Sequence, residues 1–149
     1  MPEWNRLHIK TCLFSEAHTT IQQIRESVFQ QEQGIDASLE WDGLDNACIH
    51  LVAQLGSDPA GVARLREVEP STLKLERLAV LPQYRKHGIG SEMVHTAIAY
   101  GHDQGYRQMV IHSQARLESF YQHLGFQSIG KPFEEAGIVH LKMQRSLEA

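Results

Sequence analysis

The apolar positions in the first part of the chain change from an alternating to a helical spacing. Residues 7–14 alternate roughly between apolar and polar side chains, which predicts a strand. Residues 15–33 then carry four apolar side chains that would share one face of a helix: Ile21, Ile24, Val28 and Phe29. We expect Ser15 to cap the start of this helix and Gly34 to end it. The chain is therefore predicted to open with a strand and a long helix.

The middle of the chain predicts an irregular loop followed by three strands. Residues 34–47 are polar and acidic and show no apolar period, and we name them the acidic loop. Residues 50–55 and 61–68 are typical of two strands joined by a turn, which is the pattern of a hairpin. A second turn at a Pro-Ser pair leads into residues 73–80, the third strand of this meander.

Helical and extended patterns alternate in the remainder of the chain. The predicted elements are a helix, a short strand, a second helix and a closing antiparallel pair, at residues 90–103, 109–113, 115–124, 126–129 and 137–143. Gly125 is expected to end the second of these helices. No internal repeat or linker interrupts the order. The pattern therefore predicts one domain of the α/β (α+β) class over residues 1–149.

Length, composition and charge restrict the classes of function. The chain has 149 residues, of which 42% are hydrophobic, and this is enough for one core. Its formal net charge of −4 argues against nucleic-acid binding. The two cysteines give no disulfide framework, and the nine histidines show no metal-ligand motif. No signal peptide and no apolar run of membrane length is found. We therefore expect a cytoplasmic protein with no bound metal and no membrane or nucleic-acid partner.

The segment between the third strand of the meander and the next helix has the composition of an anion site. Two cations precede two glycines in the run Arg-Lys-His-Gly-Ile-Gly-Ser, which we name the glycine loop (residues 85–91). Glycine has no Cβ, so a ligand can approach the backbone closely. The free N–H groups and the dipole of a helix start favour an anion there. The loop is therefore predicted to bind phosphate.

Two common phosphate-binding motifs do not fit the glycine loop. A Walker loop ends in Gly-Lys-Ser/Thr, whereas this loop ends in Gly-Ile-Gly-Ser. A dinucleotide fingerprint has a third glycine three positions after the second, where this chain has Met93. A nucleotide-binding protein of either class is therefore disfavoured.

Two motifs in order along the chain resemble the GNAT N-acetyltransferase superfamily. The first is Leu-x-Val-x-Pro followed by Arg-x-x-Gly-x-Gly at residues 85–90, and the second is Phe-Tyr-x-x-Leu-Gly-Phe at residues 120–126. Three further fragments resemble its bacterial ElaA-like branch: Val-Phe-x-x-Glu-Gln, Asp-Gly-x-Asp and Gly-Ile-x-His-Leu-x-Met, at residues 28–33, 42–45 and 137–143. The resemblance covers essentially the whole chain. It implies the GNAT fold, a central mixed, mostly antiparallel sheet of about seven strands flanked by helices.

The same resemblance implies that acetyl-coenzyme A is the co-substrate. In the superfamily the loop amides hold the diphosphate, and the strand before the loop pairs with the pantetheine arm. The positions carried over as coenzyme A contacts are Leu78, Ala79, Val80, Arg85, Lys86, His87, Gly88, Ile89, Gly90, Ser91 and Gln114. Gln114 stands where many members have asparagine. A main-chain N–H of Leu78 or Val80 is expected to stabilise the oxyanion.

Acetyl transfer to an amine also needs a base, and the candidates stay open. Glu76, on the strand before the loop, resembles the glutamate that several family members use, but it could equally pair with Arg77 or Lys74. His112 at the end of the next strand is a rival base, because its ordinary pKa is about 6.5. The carboxylates of the acidic loop are a third candidate.

Tyr121 is the expected general acid, because the family's tyrosine at this motif reaches the coenzyme A sulfur. The alternative is a core aromatic on a helix face. A phenol of pKa about 10 is a poor donor to the anion of a thiol of pKa about 8.5, and a lowered tyrosine pKa would reduce that mismatch.

The acidic loop carries Trp41 among several carboxylates and could line a pocket for a cationic amine. The expected substrate-binding residues are Glu32, Trp41, Asp42 and Asp45. The predicted reaction is acetylation of a primary amine of a small molecule or peptide, and dimers are common in the superfamily. The alternative is a GNAT-fold module that binds an acyl-coenzyme A without turnover, as a sensor. The presence of Tyr121 favours the enzyme.

Overall fold

A computed structural model describes residues 6–148. Within these residues the strands are β1 Leu7–Leu13, β2 Ile49–Leu55, β3 Asp58–Glu69, β4 Thr72–Val80, β5 Gln108–Gln114, β6 Gln127–Glu135 and β7 Ile138–Ser146. The α-helices are α1 Phe14–Arg25, α2 Ala37–Glu40, α3 Ile89–Asp103 and α4 Glu118–His123. The predicted combination of a mixed sheet with helices is confirmed.

The seven strands form one mixed sheet in the order β1-β2-β3-β4-β5-β7-β6. The β1–β2, β2–β3, β5–β7 and β6–β7 pairs are antiparallel. β4 and β5 are parallel, with Thr72–Lys74 in register with Gln108–Val110. Parallel neighbours need a long crossover connection, and α3 lies in the chain between these two strands. The predicted mostly antiparallel sheet of seven strands is therefore confirmed.

The described chain divides into two compact units, and β3 and β4 each contribute residues to both. Unit 1 comprises residues 6–65 and 77–93, and unit 2 comprises residues 66–76 and 94–148. The prediction of a single domain over residues 1–149 stays a prediction.

In unit 1, the apolar stripe predicted for residues 15–33 is buried as expected. The four residues of the stripe are each less than 9% exposed: Ile21, Ile24, Val28 and Phe29. They share one core cluster with side chains from β1, β2, β3 and β4, namely Cys12, Val52, Val62 and Ala79. Full burial of such a side chain contributes about 1.5–3 kcal/mol, so the stripe determines which face of the helix meets the strands.

Unit 2 is built from β5, β6 and β7 with α4 and most of α3. Met109, Ile111 and Met143 are its fully buried strand residues on β5 and β7. A Cβ placed on Gly101 of α3 would lie 2.7 Å from Leu147 Cδ1, which is closer than real contacts allow. Glycine at this position therefore permits the close packing of α3 on the C-terminal residues.

The start of α1 differs from the prediction. The helix begins at Phe14, so the prediction that Ser15 caps it is wrong. Instead the Leu13 N–H donates to Glu16 Oε1 at 2.7 Å, which satisfies one of the N–H groups at the helix start. Beyond Arg25 the helix continues as a π-helical segment, Glu26–Glu32, and Gly34 follows it with a φ of +69°. The predicted end of the helix at Gly34 is confirmed.

The acidic loop was predicted to be irregular, which is wrong in part, because it contains α2 and a 3₁₀ turn at Asp45–Ala47. Several element ends also differ from the prediction. The turn between β2 and β3 is tighter than predicted, because Asp58 and Pro59 belong to β3. The predicted helix over 115–124 is a 3₁₀ turn, Ala115–Leu117, followed by α4. Gly125 follows α4 with a φ of +90°, as the predicted C-terminal glycine should. β6 and β7 are both longer than the sequence predicts.

Candidate active site

The glycine loop lies in unit 1 after the end of β4, and its last three residues form the start of α3. A 3₁₀ turn at Pro82–Tyr84 precedes it. Lys86 and Gly88 both have left-handed backbones, with φ of +68° and +78°. These left-handed residues turn the chain sharply into the N-terminus of α3, where free N–H groups favour an anion. The predicted phosphate site stays a prediction.

Side-chain exposure in the glycine loop is also suited to an anion. Lys86, His87 and Gly88 are exposed, whereas Ile89 is 1% exposed and anchors the start of α3 in the core. A Cβ on Gly88 would meet nothing within 4 Å, so the space beside this residue is open. The first turn of α3 also carries the acidic Glu92, which reduces the local positive charge. An anion at this loop would meet the backbone N–H groups of the helix start together with the exposed Lys86 and His87 side chains.

The Arg85 side chain is bound within the protein. Its Nη1 and Nη2 donate to Glu32 Oε2 and Oε1, both at 2.6 Å, and its Nε donates to the Val80 carbonyl at 2.9 Å. The carboxylate of Glu32 raises the pKa of the Arg85 guanidinium. This bidentate pair joins the end of the π-helical segment to the glycine loop. Arg85 thus shapes the loop, and its predicted contact with phosphate stays a prediction, as does a substrate contact of Glu32.

β4 is distorted just before the predicted oxyanion residues. Arg77 has a φ of +56°, a left-handed backbone that is uncommon for a residue other than glycine and typical of a bulge. Leu78 and Val80 are half-buried, and Ala79 is 2% exposed in the unit 1 core. The predicted oxyanion role of the Leu78 or Val80 N–H stays a prediction.

Three arginines in unit 1 bind the carboxylates of the acidic loop, and we name these residues the arginine network. Its members are Arg25, Arg64, Arg77, Glu40, Asp42 and Asp45. Arg25 is 1% exposed and donates to Glu40 at 2.7 Å and to Asp45 at 2.6 Å. Arg64 is 0% exposed and donates to Asp42 at 2.8 Å and to Asp45 at 3.1 Å. The acidic loop is therefore held by internal ion pairs.

The predicted substrate residues of the acidic loop all belong to this arrangement. The Arg25 guanidinium lies 4.1 Å from the centre of the Trp41 ring. Hydrogen bonds from Arg64 hold the pKa of the Asp42 carboxyl well below its usual range. The negative charge that was expected to attract a cationic amine is thus matched by arginine. The predicted substrate contacts of Trp41, Asp42 and Asp45 stay predictions.

His50 is a buried histidine in contact with this network. Its ring is 1% exposed, and Nε2 lies 3.0 Å from the Asp45 carbonyl oxygen, an arrangement in which Nε2–H donates. Burial holds the pKa of His50 below its ordinary value. The folded protein therefore contains neutral His50 at neutral pH.

The free energy of unfolding is expected to fall on acidification because of His50. Below pH about 6.5 the unfolded chain binds a proton at this residue that the folded chain does not, so stability present above that pH is lost as the pH falls. The loss is at most about 1.4 kcal/mol per pH unit. Urea unfolding at pH 7.5 and 5.5 should show a smaller loss for His50→Gln than for the wild type. Replacement of the exposed His8 by Gln is the control, and an unchanged pH dependence in His50→Gln would contradict this assignment.

In unit 2, Tyr121 lies on α4 and is 6% exposed. Its ring makes edge contacts with Phe120 and Phe126, at centroid distances of 4.9 and 5.8 Å. Burial raises the pKa of the Tyr121 phenol, so the suggestion of a lowered tyrosine pKa is wrong. The hydroxyl is therefore protonated at neutral pH, as a general acid must be before it donates, although the pKa mismatch with a thiol is larger than expected.

The two sequence-predicted bases in unit 2 have different partners. Glu76 is 8% exposed and accepts from Arg66 Nε at 2.7 Å, a partner that the sequence analysis did not name. His112 is half-buried, and its Nδ1 lies 3.3 Å from both Lys74 Nζ and Glu135 Oε1. Gln114, two residues further along β5, has its Oε1 3.1 Å from the Arg116 Nε, which donates. Arg66 thus stabilises the Glu76 carboxylate, and the predicted role of Glu76 or His112 as the base stays a prediction.

Four members of these sites were not predicted from the sequence: Arg25, Arg64, Arg66 and Glu135. A signal for the first two exists, because Arg25 follows the buried Ile24 and Arg64 lies between apolar residues of a strand. Within the described residues, no group of three or more His, Cys, Asp or Glu side chains could hold a metal. In the same part of the chain, none of the helices has the length and apolar character needed to cross a membrane.

Comparison of the sequence with other proteins finds one matching family and several relatives of similar length. The family model described as an acetyltransferase (GNAT) domain matches residues 16–147. The uncharacterized N-acetyltransferase YjcF of Bacillus subtilis (strain 168) is 33% identical over 123 residues, covering 82% of this chain and 87% of YjcF. Protein ElaA of Escherichia coli (strain K12) is 26% identical over 153 residues, covering 99% of this chain and 98% of ElaA.

Solved structures share the fold. The crystal structure of Escherichia coli ElaA matches with a TM-score of 0.83 at 22% identity, over 93% of this chain and 99% of that chain. The PaiA N-acetyltransferase from Thermoplasma acidophilum, solved in complex with coenzyme A, matches with a TM-score of 0.70 at 18% identity, over 94% and 98% of the two chains. The resemblance to the GNAT superfamily and to ElaA is confirmed by these matches. With its glycine loop, its sheet order and its family match over most of its length, the chain belongs to the GNAT acetyltransferase family.

Proposed function

We propose that this protein is an acetyl-coenzyme A-dependent N-acetyltransferase that acts on a primary amine of a small molecule or peptide. The observation that carries the proposal is the glycine loop, in which the left-handed Lys86 and Gly88 precede the open start of α3. Backbone N–H groups at such a helix start suit the diphosphate of coenzyme A. Family membership and the coenzyme A complex of the related fold support the same ligand.

The base is needed because amines are charged at neutral pH. A lysine-like amine with a pKa of about 10.4 costs about 4.6 kcal/mol to deprotonate at pH 7. We propose His112 as the group that accepts this proton, directly or through water. The neutral amine then attacks the thioester carbonyl carbon, a C–N bond forms, and the C–S bond breaks. Tyr121 supplies the proton that the leaving thiolate takes.

We propose a primary amine as the acetyl acceptor, with no preference for amines that carry several positive charges. The carboxylates of the acidic loop that were expected to bind a cationic amine, Asp42 and Asp45, are paired with arginines. A substrate amine would therefore find both carboxylates already paired with arginine. The two cysteines, Cys12 and Cys48, are free and buried. We also propose a cytoplasmic location and a homodimer.

A panel assay tests the function. Release of free thiol from acetyl-coenzyme A is measured with spermidine, tyramine, phenethylamine and a peptide with a free α-amine. We expect turnover with at least one amine and none without an amine. Binding of acetyl-coenzyme A without thiol release in such a panel would instead support the non-catalytic module.

Replacing Gly88 by alanine is expected to weaken coenzyme A binding. A Cβ at this position narrows the approach to the loop amides, and the φ of +78° strains an alanine by about 1 kcal/mol. Titration calorimetry of coenzyme A should give a Kd at least about tenfold higher, equivalent to about 1.4 kcal/mol.

Gly105→Ala is the matched control for Gly88→Ala. Gly105 also has a left-handed φ, +85°, and also has nothing within 4 Å of a built Cβ, but it follows the other end of α3. Both variants carry the same kind of backbone strain. An equal effect of the two substitutions on coenzyme A affinity would contradict the assignment of the glycine loop.

A further inference from the structure

Titratable side chains line one face of the sheet in unit 2. Antiparallel pairing places His112 opposite Lys142, and Phe133 opposite His140. Directly opposed residues point to the same face of a sheet. Lys74 on β4 and Glu135 at the end of β6 reach the same imidazole. We name Lys74, His112, Glu135 and His140 the His112 cluster.

The His112 Nδ1 atom faces two partners with opposite requirements. It lies 3.3 Å from Lys74 Nζ and 3.3 Å from Glu135 Oε1. A lysine ammonium can only donate, whereas a carboxylate can only accept. A proton on Nδ1 is therefore donated to Glu135, and a bare Nδ1 accepts from Lys74. In the neutral ring, only the first arrangement leaves the lone pair on Nε2.

The surroundings of Glu135 favour its role as acceptor. Its side chain is half-exposed, and the hydrogen bond with His112 is the first cause that holds the pKa of the Glu135 carboxyl below its usual range. His140 is 7% exposed, and its Nδ1 lies 2.7 Å from the Ile138 carbonyl, so Nδ1–H donates there. Its Nε2 lies 3.6 Å from Glu135 Oε2. The carboxylate is thus bracketed by two imidazoles.

Phe133 fixes the orientation of both rings. It meets the His112 ring edge-on at a centroid distance of 5.1 Å and stacks with the His140 ring at 5.9 Å. An imidazole held by an aromatic edge and by a carboxylate on Nδ1 has little freedom to rotate. This is the arrangement in which an acidic residue selects the tautomer of a catalytic histidine.

We propose that Glu135 is a positioning residue that holds His112 in the Nδ1–H tautomer, so that Nε2 is the general base for the acceptor amine. The proposal rests on the acetyltransferase function proposed above and identifies the base of that same site. Lys74 is the competitor for Nδ1 and selects the opposite tautomer. Lys142, the cross-strand partner of His112, is a further charged residue on the same face of the sheet.

The proton balance of the step is complete without a further reagent. Nε2 of His112 accepts one proton from the acceptor ammonium, and Glu135 stabilises the resulting imidazolium through Nδ1–H. The amine nitrogen attacks the thioester carbon, the C–N bond forms, and the thiolate leaves with a proton from Tyr121. The second proton of the attacking nitrogen restores Tyr121 through solvent. His112 then releases its proton to water, so the net products are amide, thiol and one proton.

The tautomer can be measured without a substrate. Nitrogen-15 NMR of the histidine side chains in the full chain distinguishes Nδ1–H from Nε2–H rings, and His112→Gln identifies the signal. We expect the Nδ1–H tautomer in the wild type at pH 8. Glu135→Gln should convert it to Nε2–H, since Lys74 then donates to Nδ1, whereas Lys74→Met should leave Nδ1–H unchanged. Glu134→Gln, the exposed neighbour on β6, is the matched control.

An Nε2–H ring in the wild type, or an unchanged tautomer in folded Glu135→Gln, would overturn the proposal. If Glu135→Gln does not fold, the tautomer of His112 in the wild type still tests the proposal, because an Nε2–H ring there contradicts it. These readings are independent of turnover, so they separate failure of this inference from failure of the proposed function.

Kinetics with the best amine of the panel provide the second readout. His112→Gln should lower kcat/KM for the amine by about 10²-fold or more and remove the acidic limb of the pH profile. Glu135→Gln should shift the acidic limb to lower pH and leave the KM for acetyl-coenzyme A unchanged. Glu135→Asp should partly restore the wild-type position of that limb. Wild-type turnover that persists in His112→Gln with the same pH profile would refute the inference and leave the function standing.

Discussion

Replacing Tyr121 with phenylalanine is expected to lower kcat by about 10²- to 10⁴-fold, the range that general acid catalysis contributes. The substitution removes one oxygen atom and keeps the ring that packs edge-on against Phe120 and Phe126. Burial raises the pKa of this phenol, so the wild-type side chain carries its proton throughout the neutral range. Without the hydroxyl, the leaving thiolate must take its proton from water.

Coenzyme A affinity and thermal stability separate this effect from misfolding. Both are expected to stay close to wild type in Tyr121→Phe, because the apolar contacts remain. Tyr100→Phe, on α3, removes a phenol oxygen elsewhere in unit 2 and should keep full activity. A Tyr121→Phe variant with wild-type kcat would show that the thiolate is protonated by another group.

Replacing Arg25 with methionine is expected to lower the free energy of unfolding by about 3–5 kcal/mol, as removal of one partner of a buried ion pair does. Arg25 is 1% exposed and binds both Glu40 and Asp45, so its loss leaves two buried carboxylates short of a donor. The contact of its guanidinium with the Trp41 ring is lost as well. Urea unfolding of the purified variant measures the change.

An exposed ion pair provides the matched control for Arg25→Met. Arg107 and Glu148 are 3.2 Å apart, with side chains 75% and 62% exposed. Arg107→Met should change the free energy of unfolding by less than about 1 kcal/mol, because exposed pairs contribute little. Equal effects of the two substitutions would contradict the structural role given to the arginine network.

The order of elements could be predicted from the sequence because it follows from local patterns. The stripe that contains Ile21 and Ile24 repeats at helical spacing, and its buried face is the one predicted. Turn residues such as Gly34 and Gly125 mark the ends of helices through their left-handed backbones. The start of α1 was predicted wrongly because Ser15 lies inside the helix, and the carboxylate that binds the Leu13 N–H comes from Glu16 in the first turn.

The site could be predicted only where its parts are adjacent in the chain. The glycine loop is a continuous segment, so its glycines and cations were recognised together. The partner of Arg85 lies 53 residues away, at Glu32, and nothing in the spacing pairs them. Arg64 is similarly paired with Asp42 over 22 residues. Acidic residues therefore appeared available for a substrate until the fold showed which arginines bind them.

A single charged residue inside an apolar strand pattern indicates a buried ion pair. Arg64 lies in a strand between Ala63 and Leu65, and all three are buried. A charged side chain in such a position needs a partner of opposite sign, because an unpaired buried charge is costly. Two buried arginines therefore need carboxylate partners, and in this fold the acidic loop supplies them.

Calorimetric titration with coenzyme A and with pantetheine tests the central claim most directly, because the two ligands share the thiol arm and only the first carries the diphosphate. If the amides of the glycine loop bind that diphosphate, coenzyme A binds at one site per chain and pantetheine binds at least about 100-fold more weakly, a difference of about 2.7 kcal/mol. Equal affinity for the two ligands, or no binding of coenzyme A by the folded wild-type chain, would contradict the account.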